Sequence, residues 1–409
     1  MKEDALKIVR AGIAASDPYD STYKILRNLS IPENIYVLSV GKAAVPMARA
    51  AADFFKDRIC KGLLVTKYHH TGDFSSPYFE IIEAGHPISD DNSIKAAEKG
   101  LAIANELTEK DVLIVLLSGG GSALFEKSRV PSDIQRDITA RLLSSGADIR
   151  EINAVRKRLS MVKGGLISDA AYPARVITVA LSDVLTNDKG VIASGITVRD
   201  EEADEFISGV VSRYLHSLSE DIKNIILTKN HIKINDGGYY FSGDINILCN
   251  AAGKMADELG YTVHHKDRFL TGEARLTAEE IIDAVPYVKG KHCYIYGGET
   301  VVTLKGSGKG GRNQETALSA AIRLRGKKGI ALISVGSDGT DGPTDAAGGY
   351  ADTGSYDRMV SLGISPEKEL ADNNSYYALK KSGELIVTGP TGTNVNDIIV
   401  VLTDDYENR

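Results

Sequence analysis

From residue 112 to residue 117 the chain reads Val-Leu-Ile-Val-Leu-Leu without a polar interruption, and the next five residues are Ser-Gly-Gly-Gly-Ser. A strand that is apolar at every position has no face to give to water, so it belongs inside a sheet covered on both sides by helices, as parallel strands are. Ile35 to Val40, Gly62 to Thr66 and Val176 to Leu181 repeat the pattern, separated by longer Ala- and Lys-bearing segments. The first half is therefore expected to be α/β, a parallel sheet with flanking helices. None of these runs approaches the ~20 apolar residues that span a bilayer.

A chain of 409 residues is longer than one core supports, since single cores stop growing at about 250–300 residues. Two domains are expected. The opening has helical spacing at Leu6, Val9 and Ile13 and breaks at Ser16-Asp17-Pro18. A helical stretch from Asp204 to Leu218 closes the first half. The polar segment Lys229 to Gly243, centred on Asn235-Asp236-Gly237-Gly238, marks the boundary, giving domains of residues 1–235 and 236–409. In the second, strands are expected at Ile245 to Cys249, Tyr294 to Tyr296, Val301 to Leu304, Ile330 to Val335 and Ile398 to Leu402.

Lys and Arg number 48 against 55 Asp and Glu, a net charge of -7 with no basic block. Nucleic acid and membrane surfaces are poor partners for such a chain, and a small molecule is the expected one. The three scattered cysteines and the acidic Glu3 and Asp4 near the start point to a reducing, cytoplasmic setting. Self-association is left open.

Ligands of open parallel sheets bind at the carboxyl ends of strands, so the loops there are the places to look. Lys42, in Gly41-Lys42-Ala43-Ala44, would bring an ammonium beside free helix N–H groups and complement phosphate or carboxylate; the plainer alternative is a solvated lysine. In Ser118-Gly119-Gly120-Gly121-Ser122, the bare backbone can cradle phosphate oxygens, or simply make a tight turn. A helix expected over Ile149 to Gly165 would carry Asn153, Arg156, Ser160 and Lys163 on one face, an anion clamp or a solvated stripe. Asp183 and Asp188 follow a strand end, where carboxylates hold a divalent metal, accept a hydroxyl proton or cap a helix.

The second half adds Gly298-Glu299-Thr300, the loop Gly306 to Glu315, and Asp338, Asp341 and Asp345 in one Gly-rich segment, a crowding of like charge that calls for a cation or solvent screening. The loop contains a literal G-x-G-x-x-G, but the acidic residue a dinucleotide fold needs about 20 positions later is replaced by Arg and Lys. Gly310 stands where a Walker loop requires Ser or Thr. Arg312, after that flexible loop, can fork onto a transferring phosphoryl group or pair with a surface carboxylate.

Taken in order, Val40-Gly41-Lys42-Ala43, Ala84-Gly85-His86-Pro87, Ser118 to Ser122, Asn153 to Lys163, Ser182-Asp183-Val184, Ile192 to Gly195, Gly298-Glu299-Thr300, Gly308 to Glu315 and Ser337 to Gly348 resemble the glycerate 2-kinase family, whose C-terminal part is called MOFRL. The resemblance runs through nearly the whole chain. It implies phosphorylation of D-glycerate at C2 by ATP with Mg²⁺ or another divalent cation, in a cleft between a Rossmann-like N-terminal domain and a C-terminal α/β domain. It also implies that Lys42, Asp183, Arg312 and Asp338 lie in or near the active site. The expected roles are catalysis for Lys42, Asp183 and Arg312, phosphate binding for Ser118 to Ser122, substrate binding for Arg156, Lys163 and Glu299, and metal binding for Asp338 and Asp188. Base and metal roles among the aspartates are interchangeable at this stage. At Asn187 the chain departs from the family pattern, which has an Asp there. The competing readings are an NAD(P)H-dependent hydroxypyruvate reductase and a non-catalytic anion-binding protein.

Overall fold

The structure is a computed structural model that describes residues 1–266 and 269–407. The chain divides into two compact units, one of Pro18–Ser242 and one of Gly243–Arg409 together with Met1–Asp17.

The first unit carries β1 (Asn34–Val40), β2 (Ile59–Lys67), β3 (Phe79–Ala84), β4 (Asp111–Leu117), β5 (Arg175–Leu181) and β6 (Asn235–Gly243) in the order β3-β2-β1-β4-β5-β6. The pairs from β3 to β5 are parallel. β4 is buried at all seven positions, as its uninterrupted apolar run requires. On one face Leu38, Leu113 and Val115 pack against Ala96, Ala97 and Ala104 of the helix Asp91–Asn105. The chain steps outward from β1 to β3 and then returns to place β4 on the other side of β1. The β1/β4 border is therefore the point where strand order reverses and a crevice opens at the strand ends.

β3 escaped the sequence reading because it is half-exposed and alternates with Glu80 and Glu83, so it has no continuous apolar run. The turn-rich segment around Asn235 contains β6 and not only a linker. The helix expected over Ile149 to Gly165 ends at Leu159, where Ser160 turns extended. Asn153, Arg156, Ser160 and Lys163 therefore do not share one helical face.

The second unit holds β7 (Thr262–His265), β8 (Lys291–Gly298), β9 (Lys328–Gly336), β10 (Gly348–Asp352), β11 (Leu385–Ile386) and β12 (Asp397–Glu407), ordered β11-β10-β9-β12-β8-β7. This sheet is mixed: β7 and β8 are parallel, whereas β12 inserts antiparallel between β8 and β9. The expected strand Ile245 to Cys249 is instead the start of the helix Ile245–Glu258, capped by Asp244, whose Oδ1 accepts the Ile247 N–H at 2.7 Å. Its apolar residues recur at helical spacing as Ile245, Leu248, Ala252 and Ala256, a period that a five-residue window hides. Val301 to Leu304 forms no strand; Val301 makes an isolated bridge to Glu273, and Leu304 is 79% exposed.

The helix Lys2–Ala15 packs within the second unit, where the sequence reading had grouped it with the first domain. Gly12 is the reason it fits there. A methyl group at Gly12 would lie 2.7 Å from the Leu248 carbonyl oxygen, so the two helices touch backbone to backbone. The Tyr261 hydroxyl adds a bond to Asp4 at 2.9 Å. No described helix is long and apolar enough to cross a membrane.

Candidate functional site

Strand register builds the site in the first unit. Val40, Leu117 and Ala180 are side by side at the ends of β1, β4 and β5, so the loops that follow them leave the same edge. The first two are stitched together: Ser118 N–H donates to Val40 O at 3.0 Å, Lys42 N–H to Gly119 O at 2.9 Å, and Ala43 N–H to Ser118 Oγ at 3.0 Å. Gly41, at φ +132°, is obligatory, since a methyl group there would meet Ser118 Oγ at 2.2 Å.

The third loop brings the carboxylate. A methyl group at Gly119 would lie 2.3 Å from Asp183 Oδ2, and one at Gly120 would sit 3.1 Å from the His86 ring and 3.3 Å from Lys42 Cγ. Lys42, Asp183 and the glycine loop thus meet at one edge of the sheet. Ser122 Oγ contacts Ser194 Oγ at 2.8 Å. Ala193 and Ser194 have φ of +48° and +56°, a left-handed backbone that non-glycine residues adopt at a cost, and such strain concentrates at functional sites.

Two histidines near the lysines carried little signal in the sequence. Burial lowers the proton affinity of His86, and the nearby ammonium groups of Lys42 and Lys67 lower it further. His70 is lowered by burial and by Lys67, with Glu83 opposing and Lys42 adding to the effect. Beside Gly120, the Lys42 ammonium and the His86 ring together offer an anion a charge and a donor that neither signals alone. The only sequence hint was His86 in the Ala84-Gly85-His86-Pro87 segment.

Other expected residues fall elsewhere. Lys163 is fully buried and paired with Glu126, whose Oε1 also accepts the Ser160 hydroxyl at 3.0 Å. Burial pushes the Lys163 ammonium down and the Glu126 carboxylate holds it in place, which is how a structural pair is built. Arg156 lines a separate cleft of about 480 Å³. Asp188 is exposed and its Oδ1 accepts the Gly190 N–H at 2.8 Å, closing its own turn.

In the second unit Arg312 opens the helix Arg312–Arg323. Its guanidinium forks onto Asp397, with Nε to Oδ2 at 2.5 Å and Nη2 to Oδ1 at 3.0 Å, and its Nη1 reaches Glu299 at 3.0 Å. Asp397 is 4% exposed, and burial pushes its carboxyl up to about 6 although Arg312 pulls the other way. The same pair holds Arg312 firmly charged. Nothing in the sequence pointed to Asp397; it comes beside Arg312 because β12 lies next to β9 and β8 in the sheet.

The glycine loop before Arg312 is not a nucleotide cradle. Lys305 and Gly306 N–H donate to Asn373 Oδ1, Ser307 N–H to Asp372 Oδ1, and Lys309 N–H to Asn374 Oδ1. At the helix start, Asn313 and Gln314 N–H donate to Asp341 at 3.1 and 2.9 Å, so a carboxylate of the chain already fills the place where a dinucleotide pyrophosphate would sit. Burial raises the Asp341 carboxyl despite these bonds. The acidic crowding thereby resolves into separate jobs: Asp345 accepts the Tyr376 hydroxyl, and Asp338 Oδ1 accepts Thr340 N–H at 2.9 Å. Among the described residues no three His, Cys, Asp or Glu side chains form a metal cage. A Mg²⁺ held mainly by phosphate and water needs only one or two carboxylates, and Asp183 against the bare Gly119 backbone fits such a partner.

Two family profiles match the chain, a domain of unknown function (DUF4147) over residues 4–227 and the MOFRL family over residues 292–397. The chain is 43% identical to a D-glycerate 2-kinase of Thermotoga maritima across 98% of both sequences. It is 36% identical to a putative hydroxypyruvate reductase of Agrobacterium vitis, covering 97% of this chain and 93% of that one. A crystal structure of glycerate kinase from Thermotoga maritima superposes with a TM-score of 0.93 at 42% identity, covering 98% of this chain and 99% of that one.

Proposed function

Because the chain belongs to the glycerate 2-kinase family, we propose that it transfers the γ-phosphoryl group of ATP to the C2 hydroxyl of D-glycerate. The observation that carries the reading is the convergence of Lys42, Asp183 and the glycine loop at the reversal point of the first sheet. The N–H groups of the glycine loop and the Lys42 ammonium hold the polyphosphate. Asp183 accepts the hydroxyl proton as the oxygen attacks phosphorus and ADP leaves. Arg312 offsets charge on the equatorial oxygens of the transferring group, with its plane fixed by Asp397 and Glu299. Mg²⁺ would supply further positive charge to the phosphate oxygens, with the hard carboxylates of Asp183, Asp188 or Asp338 as its protein donors. No covalent intermediate is needed, since positioning and electrostatics carry such transfers.

A paired assay tests this. D-glycerate with ATP and Mg²⁺ should give ADP and one phosphorylated product, which phosphorus NMR places on C2. Oxidation of NAD(P)H by hydroxypyruvate without ADP formation would replace the kinase with the reductase, a reading that the self-satisfied loop from Gly306 to Gly311 disfavours.

Gly119→Ala should retain the fold and cut kcat by about a hundredfold, the effect of displacing a reacting group by about 1 Å. Its methyl group has no room beside Asp183. A circular dichroism melt alongside the assay separates this from unfolding.

The Asp397 carboxyl, raised to about 6, also fixes a pH dependence. Its charged form is present above that value and is lost below it, so the fork on Arg312 loosens on acidification. We expect an acid limb in kcat near pH 6 that Asp397→Asn abolishes. The stability effect has the opposite sign. The folded chain binds this proton more tightly than the unfolded chain, whose Asp titrates near ~3.9, so this group's contribution to stability falls as pH rises from ~4 to ~6.

A further inference from the structure

Three consecutive basic residues in the helix Ile149–Leu159 have different fates. Lys157 pairs with Asp200 at 3.5 Å, and Arg158, 1% exposed, pairs with Asp200 and Asp204 at 3.1 Å each. Arg156 has no hydrogen-bond or ion-pair partner among the described residues. Burial alone acts on its guanidinium, with no carboxylate opposing. It faces the cleft of about 480 Å³ in the first unit. Two of the carboxylates that line it are engaged elsewhere: Asp90 caps the helix Asp91–Asn105 and accepts the Tyr68 hydroxyl, while Glu126 serves Ser160 and Lys163.

Asp91 and Arg136, both exposed, add one charge of each sign at the lining, and the rest of it is of two kinds. Pro87, Ile88, Ile94, Ala140 and Leu143 supply apolar surface, with Ile88 and Leu143 71% and 63% exposed. Gln135, Thr139, Ser128 and Ser132 supply neutral donors and acceptors. A cleft of this size takes a ligand of nucleoside dimensions, since drug-sized ligands occupy pockets of about 300–1,000 Å³; a three-carbon acid would leave most of it empty. The cleft also adjoins the phosphate cradle. The segment His86-Pro87 touches both, with His86 beside Gly120 and Pro87 in the cleft wall. Ser89 Oγ bonds Ala123 O at 2.8 Å, tying the cleft rim to the residues that follow the glycine loop.

We infer that this cleft holds the nucleoside end of the donor nucleotide, with its base against the apolar wall and the planar Arg156 guanidinium stacked on the base or bonded to its acceptor edge. The assignment rests on the kinase reading above and moves Arg156 from the acid substrate to the nucleotide. Arginine suits the place because its flat, weakly hydrated cation stacks on π faces and donates in its plane.

Adenosine, which carries no phosphate, tests the cleft without turnover. Saturation-transfer NMR should show adenosine bound to the unmodified protein and to Lys42→Ala, and not to Ala140→Trp, which fills the cleft from an exposed helix position. Arg156→Gln should weaken it. In steady-state kinetics both cleft variants should raise KM for ATP by about tenfold or more and leave KM for D-glycerate unchanged. Adenosine binding that survives both cleft variants would overturn the inference, and so would a rise in KM for D-glycerate with KM for ATP unmoved. Either result leaves the kinase assay standing, so the two failures are distinguishable.

Discussion

Arg312→Ala should lower kcat by about 10³-fold or more, the range measured when an arginine that stabilises a transferring phosphoryl group is removed. The structure adds a complication that the sequence did not foresee. Arg312 partners the buried carboxylate of Asp397, so its removal also leaves that carboxylate with the Asn313 side chain and without its charged donor. Losing a partner in this way costs about 1–3 kcal/mol, and the Asp397 side chain, 6% exposed, gets little relief from solvent. The double variant Arg312→Ala with Asp397→Asn separates the two effects. Its thermal midpoint should recover toward that of the unmodified protein while kcat stays low. Recovery of kcat together with the midpoint would show that Arg312 acts on the fold and not on the phosphoryl group. Arg312→Lys keeps a positive charge but loses the two-pronged bond, so an intermediate rate is expected.

Asp183→Asn should reduce kcat by about 10²–10⁴-fold, the contribution of a well-placed proton acceptor. The substitution keeps shape and hydrogen bonding while removing the charge. Pre-steady-state measurement gives the sharper reading: ADP should still bind, and the burst of product in the first turnover should disappear. A normal burst with slow later turnovers would assign Asp183 to product release instead. Gly119 is a companion probe, because its lack of a side chain is what lets the Asp183 carboxylate approach the glycine loop.

Much of the first sheet was legible because its central strands are buried on both faces. β1, β2, β4 and β5 all appear in the sequence as apolar runs. β3 and β6 do not, since an edge strand has one wet side and needs no such run. The second sheet was harder to read. The apolar residues Ile245 to Cys249 fit either period over so short a window, and the capping bond of Asp244 decided for a helix.

The sequence by itself determined the class of fold and the bare glycine loop after its central strand, because both follow from local causes. A run that is apolar throughout must be buried on both faces, and three glycines after it must expose backbone. Which residues meet was decided only by tertiary structure. Lys163 and Arg156 come from one basic stretch, yet one is sealed in a pair with Glu126 and the other lines a cleft. Asp397 lies 85 residues from Arg312 and reaches it through strand order. His86 gains its meaning from Lys42, after the end of β1, and Lys67, the last residue of β2. Burial and electrostatic pairing depend on what packs alongside, and sheet register sets that.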